Sequence, residues 1–300
     1  MTFKVVGIGE TLWDLLPAGP QLGGAPANFA CHARSLGADA SIITRVGNDP
    51  RGRTILDVFR QMNIADGGLQ IDNEAPTGTV DVTLSGDGIP HFTIHEGVAW
   101  DRLEATPQAL AATRAADAIC FGTLAQRCPV SRAAIQQLAA AADSRALRVF
   151  DVNLRQSYYS CEVILQSLRL ANILKLNEDE LGAMAKLFEL RGSPKSQVEQ
   201  LAHDFSLQLV ALTRGAAGSA LFRDGHWSHC EPRPANIVDT IGAGDAFTAA
   251  LVMGLLHRLQ LEEIHSFADD VARYVCSCAG ATPPLPGKLS GRFAAPGVSK

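Results

Sequence analysis

The sequence predicts an α/β protein: a mainly parallel, doubly wound sheet flanked by helices, interrupted by a small β-sheet segment. Three observations carry the prediction. Strand-like and helix-like stretches alternate from residue 103 to 213, the pattern switches to a period of two between residues 77 and 100, and a glycine loop at 242–244 opens into an apolar helical run. With 300 residues and 47% hydrophobic content, the chain can bury a large core.

In order along the chain, residues 3–9 form an apolar first strand. Gly7-Ile8-Gly9 suggests a dinucleotide fingerprint, but Leu12 occupies the position of the third glycine and residues 10–20 open no helix. A helix is expected after Gly23-Gly24, with Pro26 in its first turn and Phe29, Ala33 and Leu36 on one face. A strand follows at 41–46 and a helix at 52–62. Residues 79–84 and 91–94, joined by Gly86-Asp87-Gly88, read as a hairpin. Helices are then expected near 107–116 and at 131–142, 161–171, 178–190 and 197–205, with strands at 118–124, 147–152, 173–177 and 208–213. Such a sheet binds ligands at the carboxyl ends of its strands, where Gln126, Arg127, Asn153, Arg155, Asn177 and Thr213 fall.

The chemistry concentrates in Asp239-Thr240-Ile241-Gly242-Ala243-Gly244-Asp245-Ala246-Phe247. Glycines let backbone N–H groups approach an anion, and the following helix adds its positive N-terminal end. Asp245 in that first turn can receive a hydroxyl proton while the amides of residues 243–245 neutralise a moving phosphoryl group. A tight turn with a dipole-complementing acid is the plainer explanation of the same residues. Seen as a whole, the string resembles the C-terminal signature of the PfkB (ribokinase-like) carbohydrate kinases, and the segment from Gly23-Gly24 through Asn28 to Gly37 and Gly47 resembles the N-terminal one.

The resemblance implies one ribokinase-like kinase domain over residues 1–300, with a lid formed by about 10–20 and 77–100 that covers the sugar and mediates a homodimer. It implies catalytic roles for Asp245 and for Gly242, Ala243 and Gly244. Sugar contacts fall to Asp14, Gly24 and Asn28, with Gln126 and Arg127 standing where ribokinases place a Glu. Asp151-Val152-Asn153-Leu154-Arg155 matches a strand end of fructokinases and 2-keto-3-deoxygluconate kinases, adding Asn153 and Arg155. ATP falls to Asn177, Glu180, Thr213, Gly215, Gly218 and the helix ending near Cys278, with Asn177 and Glu180 organising Mg²⁺ through water. Asp239 and the Ile241 carbonyl align with a K⁺ loop, although Pro284 replaces a Ser ligand. No GxxxxGK(S/T) phosphate loop occurs.

A formal charge of -5 and a pI near 5.9 provide no basic footprint for nucleic acid or an anionic membrane. No apolar run reaches the roughly 18 residues of a membrane span, and the N-terminus lacks a signal-peptide pattern. Seven scattered cysteines, with Cys276 and Cys278 not at zinc spacing, fit reduced thiols in a cytoplasm. The reading is an ATP-dependent sugar kinase, a fructokinase, with 2-keto-3-deoxygluconate kinase as the enzymatic alternative. A non-catalytic sugar-binding regulator and an NAD-dependent dehydrogenase are the alternatives from other classes.

Overall fold

The computed structural model describes residues 2–17, 19–84, 90–233 and 236–293. Among the described residues the strands are β1 (Lys4–Ile8), β2 (Leu12–Leu16), β3 (Gly19–Gly23), β4 (Asp39–Gly47), β5 (Leu69–Asp72), β6 (Gly78–Leu84), β7 (Pro90–Ile94), β8 (Ala118–Phe121), β9 (Leu147–Asp151), β10 (Ile173–Asn177), β11 (Leu209–Thr213), β12 (Ser219–Arg223) and β13 (His226–Cys230). The helices are α1 (Ala25–Ser35), α2 (Pro50–Gln61), α3 (Pro107–Arg114), α4 (Pro129–Ala141), α5 (Cys161–Leu170), α6 (Glu178–Leu187), α7 (Pro194–Asp204), α8 (Ala243–Leu256), α9 (Leu261–Cys276) and α10 (Gly287–Ser290).

Nine strands make one sheet in the order β13-β12-β11-β10-β9-β8-β1-β4-β5. The seven from β11 to β5 run parallel, and β12 and β13 add an antiparallel edge. The parallel part is buried on both faces, so its strands are continuous apolar runs such as Lys4–Ile8 and Ala118–Phe121 rather than alternating ones. One face packs Phe29, Leu36 and Ile55 with Ala246, Leu251 and Val271 from α8 and α9; the other packs Ile135, Leu138, Leu168, Met184 and Leu201. The chain leaves β1 toward β4 on one side and returns beside β1 as β8 on the other. That reversal opens a crevice at the carboxyl ends of the strands, where an α/β sheet binds its ligands.

The second sheet has four strands, β3-β2-β6-β7. It matches the period-two expectation for residues 79–94, and its other half extends to Gly23, past the expected limit near residue 20. The expected turn at Gly86-Asp87-Gly88 lies outside the described residues. Body and small sheet are tied where β7 ends: Gln156 donates to the Phe92 carbonyl at 2.7 Å and Tyr158 to the Ile94 carbonyl at 3.3 Å. The β12–β13 pair and β5 have no counterpart among the strands expected from sequence, because neither carries a long apolar run.

Most helices open on sequence-legible caps. Asp49, Thr106, Ser160 and Ser193 each accept a backbone N–H in the first turn, and Pro26, Pro50, Pro107, Pro129 and Pro194 occupy first-turn positions. Two helices differ. Both α1 and α8 start at glycines with no side-chain cap, Gly24 and Gly242, so their N-terminal amides face the crevice.

Candidate active site

The crevice is a cleft of about 1350 Å³ running from the small sheet to the outer face of α9. Its narrow centre is the α8 N-terminus. Gly242 has φ +77°, and a Cβ there would collide with the Ala281 carbonyl, so this position requires glycine on two grounds. The Ala281 carbonyl is itself held at 2.9 Å by buried His32 of α1, whose pKa burial lowers to about 4. Asp239 clamps the same loop from the other side, accepting the Ile241 N–H at 3.0 Å and the Gly280 N–H at 3.2 Å.

Asp245 sits one turn into α8, deep in the cleft with part of its surface open to it, and accepts a 2.8 Å hydrogen bond from the Asn28 side-chain amide. Behind it lies a polar stack inside the core. Lys175 of β10 pairs with Asp151 of β9 at 2.9 Å, and Thr248 of α8 donates to the other Asp151 oxygen at 2.9 Å. Burial works against the Lys175 charge, yet attraction to Asp151, Glu180 and Asp245 outweighs it and raises its pKa to about 12. Burial, and then repulsion from Asp151, push Asp245 up to about 7 against the pull of Asn28, Lys175 and Arg155. The same end of the cleft holds Asp14, raised by burial to about 6, and Glu10, raised by burial to about 7.

Arg155 faces these carboxyls from the loop after β9. Among the described residues its guanidinium hydrogen-bonds to the Leu154 carbonyl alone, at 3.3 Å, while opposing the upward shifts of Glu10, Asp14 and Asp245. Asn153 before it holds the left-handed conformation, φ +45°, which Asn tolerates better than most residues. Past α8 the cleft widens between Thr213, Gly215 and Gly218 after β11 and the α9 face made by Asp269, Ala272, Arg273 and Cys276.

Of the residues expected from sequence, Asp14, Gly24, Asn28, Asn153, Arg155, Asn177, Glu180, Thr213, Gly215, Gly218, Ile241, Gly242, Ala243, Gly244 and Asp245 all line this cleft. Four others do not. Gln126 is buried in the 3₁₀ turn after β8, donating to the Gly122 carbonyl at 2.8 Å and to Ser167 at 2.9 Å. Arg127 makes a bidentate pair with Asp101 at 2.8 and 2.9 Å and lies over the rings of Trp100 and Tyr158. The 3₁₀ turn rotates both side chains away from the crevice, so the sugar contacts expected of them fall away. Cys278 stands beyond the end of α9; the cleft face is the i, i+3, i+4, i+7 set 269, 272, 273, 276, which makes Cys276 the lining thiol. Asp239 spends its carboxylate on the two loop amides.

Sequence reading missed Glu10 and Lys175. Lys175 left a signal: a lysine inside an otherwise apolar strand is retained there only with a partner.

The residues expected to organise Mg²⁺ form a capping box. Asn177 accepts the Glu180 N–H at 2.9 Å, and Glu180 accepts the N–H of Asn177 at 2.7 Å and of Leu154 at 3.0 Å. Both side chains open on the cleft with lone pairs remaining, which suits water-mediated contact with a cation carried on phosphates. Among the described residues no cluster of three or more His, Cys, Asp or Glu is arranged to hold a metal directly. No helix among them is long and apolar enough to cross a membrane.

The raised pKa of Asp245 makes a prediction about stability. Its folded value near 7 exceeds the ordinary 3.8, so the folded state binds more protons between those values. Its favourable contribution is complete below about pH 4 and is lost as pH rises through 7. Asp245→Asn therefore is expected to be close to neutral at pH 4 and more stable than the parent by about 1–3 kcal/mol at pH 8. Thermal unfolding of both proteins across that range checks the sign.

A glycine-framed helix N-terminus with an acid in its first turn, flanked by acidic residues on the small-sheet side and by the glycines after β11 on the other, is suited to phosphoryl transfer. Comparison with known proteins agrees. The model of the pfkB family carbohydrate kinases matches residues 20–288, and the chain belongs to that family. It is similar to a fructokinase of Klebsiella pneumoniae, 31% identical over 283 residues that cover 91% of each chain. It is also similar to an uncharacterized sugar kinase of Pyrococcus horikoshii, 30% identical over 297 residues covering 92% of this chain and 91% of that one. The crystal structure of the Pyrococcus protein superposes with a TM-score of 0.82 over 93% of both chains at 29% identity. A fructokinase of Xylella fastidiosa with bound ATP shares the fold, with a TM-score of 0.85 over 97% of both chains at 20% identity. The protein is an ATP-dependent carbohydrate kinase.

Proposed function

We propose that the protein is a fructokinase that transfers the ATP γ-phosphoryl group to a primary hydroxyl of fructose. The observation that carries the reading is Asp245, whose pKa near 7 and place at the α8 N-terminus, between the acidic chamber and the open groove, suit a base for a hydroxyl at neutral pH. Asp245 orients the hydroxyl and takes its proton as the new P–O bond forms and the bond to the ADP oxygen breaks. The amides of Ala243, Gly244 and Asp245 meet charge on the moving group. Asp14, Gly24 and Asn28 hold the sugar, and Thr213, Gly215 and Gly218 line the nucleotide side, with the base against Ala272 and Cys276. Mg²⁺, held by water to Asn177 and Glu180, would neutralise phosphate charge. A homodimer through the small sheet and a cytoplasmic location belong to the same reading.

The fructokinase relatives support fructose, and one observation favours a sugar acid instead: Arg155 offers the sugar end a guanidinium that has no carboxylate partner among the described residues. Initial rates of ADP release across fructose, ribose, 2-keto-3-deoxygluconate, adenosine and fructose 6-phosphate decide between them. Fructose is expected to have the highest kcat/KM. A higher value for 2-keto-3-deoxygluconate would replace the fructokinase reading with the sugar-acid one.

A further inference from the structure

We infer that Glu10 is a substrate-positioning residue whose free carboxylate oxygen accepts a sugar hydroxyl and makes the site select neutral sugars over sugar acids. This rests on the sugar-kinase reading above.

Glu10 follows β1, and Gly9 with φ +145° turns its side chain into the cleft. The residue is 2% exposed, and its Oε2 is buried without a hydrogen-bond partner. A carboxylate removed from water and left unpaired costs more than almost any other buried group, so an apolar side chain here would serve packing better. Two contacts fix its place. The Glu10 carbonyl lies against Gly24, where any Cβ would collide with it, and the Ala25 N–H at the uncapped start of α1 favours the ionised carboxyl. The Glu10 and Ala25 N–H groups thus hold the carboxyl, and Oε2 remains without a partner in the wall of the chamber. Burial raises the pKa to about 7, as expected of an acid still missing a donor.

The sign of the chamber follows from its neighbours. Glu10, Asp14 and Asp245 face a single guanidinium, Arg155, and the Lys175 charge is already met by Asp151. A neutral polyol brings O–H donors that such acceptors need. A sugar acid brings a fourth carboxylate to one cation, and its charge must be accommodated beside Glu10.

The test is Glu10→Gln in the full chain, with kinetics on fructose and 2-keto-3-deoxygluconate and calorimetric binding of fructose. The amide keeps size but loses the charged acceptor. KM and Kd for fructose are expected to rise about tenfold, as for loss of a charge-assisted hydrogen bond, with kcat within about threefold. The fructose preference over the sugar acid should shrink about tenfold or more. Fructose KM and Kd within about twofold of the parent, at an unchanged preference, would reduce Glu10 to a helix cap and overturn the inference. If Glu10→Gln does not fold, Glu10→Asp keeps the charge but shortens its reach, and the same loss of fructose affinity is expected; unchanged affinity overturns it. A parent protein that phosphorylates neither compound overturns the sugar-kinase reading and this inference with it, whereas an active parent with an indifferent Glu10 variant overturns the inference alone.

Discussion

Asp245→Asn is expected to lower kcat by roughly 10²–10⁴-fold while KM for ATP and sugar stays within a few-fold. The asparagine is isosteric, can still pair with Asn28 and leaves the three loop amides in place, so both ligands keep their other anchors. What it loses is the proton acceptor. An ordinary aspartate, with a pKa near 3.9, is a weak base toward an alcohol, and the sequence offers no reason to think Asp245 differs. The structure does: burial and the nearby Asp151 raise it to about 7. The parent kcat/KM is therefore expected to rise with pH through about 7, and that rise should be missing from the variant. A variant retaining more than about a tenth of the parent kcat would leave the loop as a plain anion site and remove the base.

The second large effect is expected from Lys175→Met. The ammonium is buried beneath the α8 turn, its Nζ 3.0 Å from where a Cβ on Gly244 would lie, and it is paired with Asp151. Methionine fills most of the volume but strands a buried carboxylate, which costs about 3–5 kcal/mol when one partner of such a pair is removed. Activity should also fall at pH 7, because the cation that holds down the Asp245 pKa is gone and a smaller fraction of Asp245 is ionised. The pH–rate profile is expected to move to higher pH. Adding Asp151→Asn to Lys175→Met should recover much of the stability, since the stranded charge then disappears. Urea unfolding of the parent and the two variants, together with their pH profiles, separates the two effects. A Lys175→Met protein as stable as the parent would mean that the Lys175–Asp151 pair is not the core tie described here.

How much was legible in the sequence depended on whether a residue's neighbours in space are also its neighbours in the chain. The loop at residues 239–247 is such a case: glycine, acid and apolar helix lie in one string, and the structure places Gly242 as a left-handed helix start and Asp245 one turn later. The alternation of strands and helices from 103 to 213 was equally readable, because two-sided burial writes continuous apolar runs. Gln126 and Arg127 show the limit. Their position after a strand end was read correctly, but the 3₁₀ turn that follows decides where side chains point, and it aims them into the core and at Asp101. Cys278 failed because α9 ends at Cys276, the last residue of the helix's cleft face, and Cys278 lies past that end. The pKa of Asp245 could not be read at all, since Asp151 and Lys175 come from two distant strands.

The central claim, that this cleft moves the γ-phosphoryl group of ATP onto a sugar hydroxyl, is tested most directly by following γ-labelled ATP with fructose by phosphorus NMR. The account predicts that the parent protein produces a phosphomonoester on a primary hydroxyl, one per ADP formed, and that Asp245→Asn produces almost none in the same time. ADP formed with free phosphate and no sugar ester, or no ADP with any sugar supplied, would contradict it.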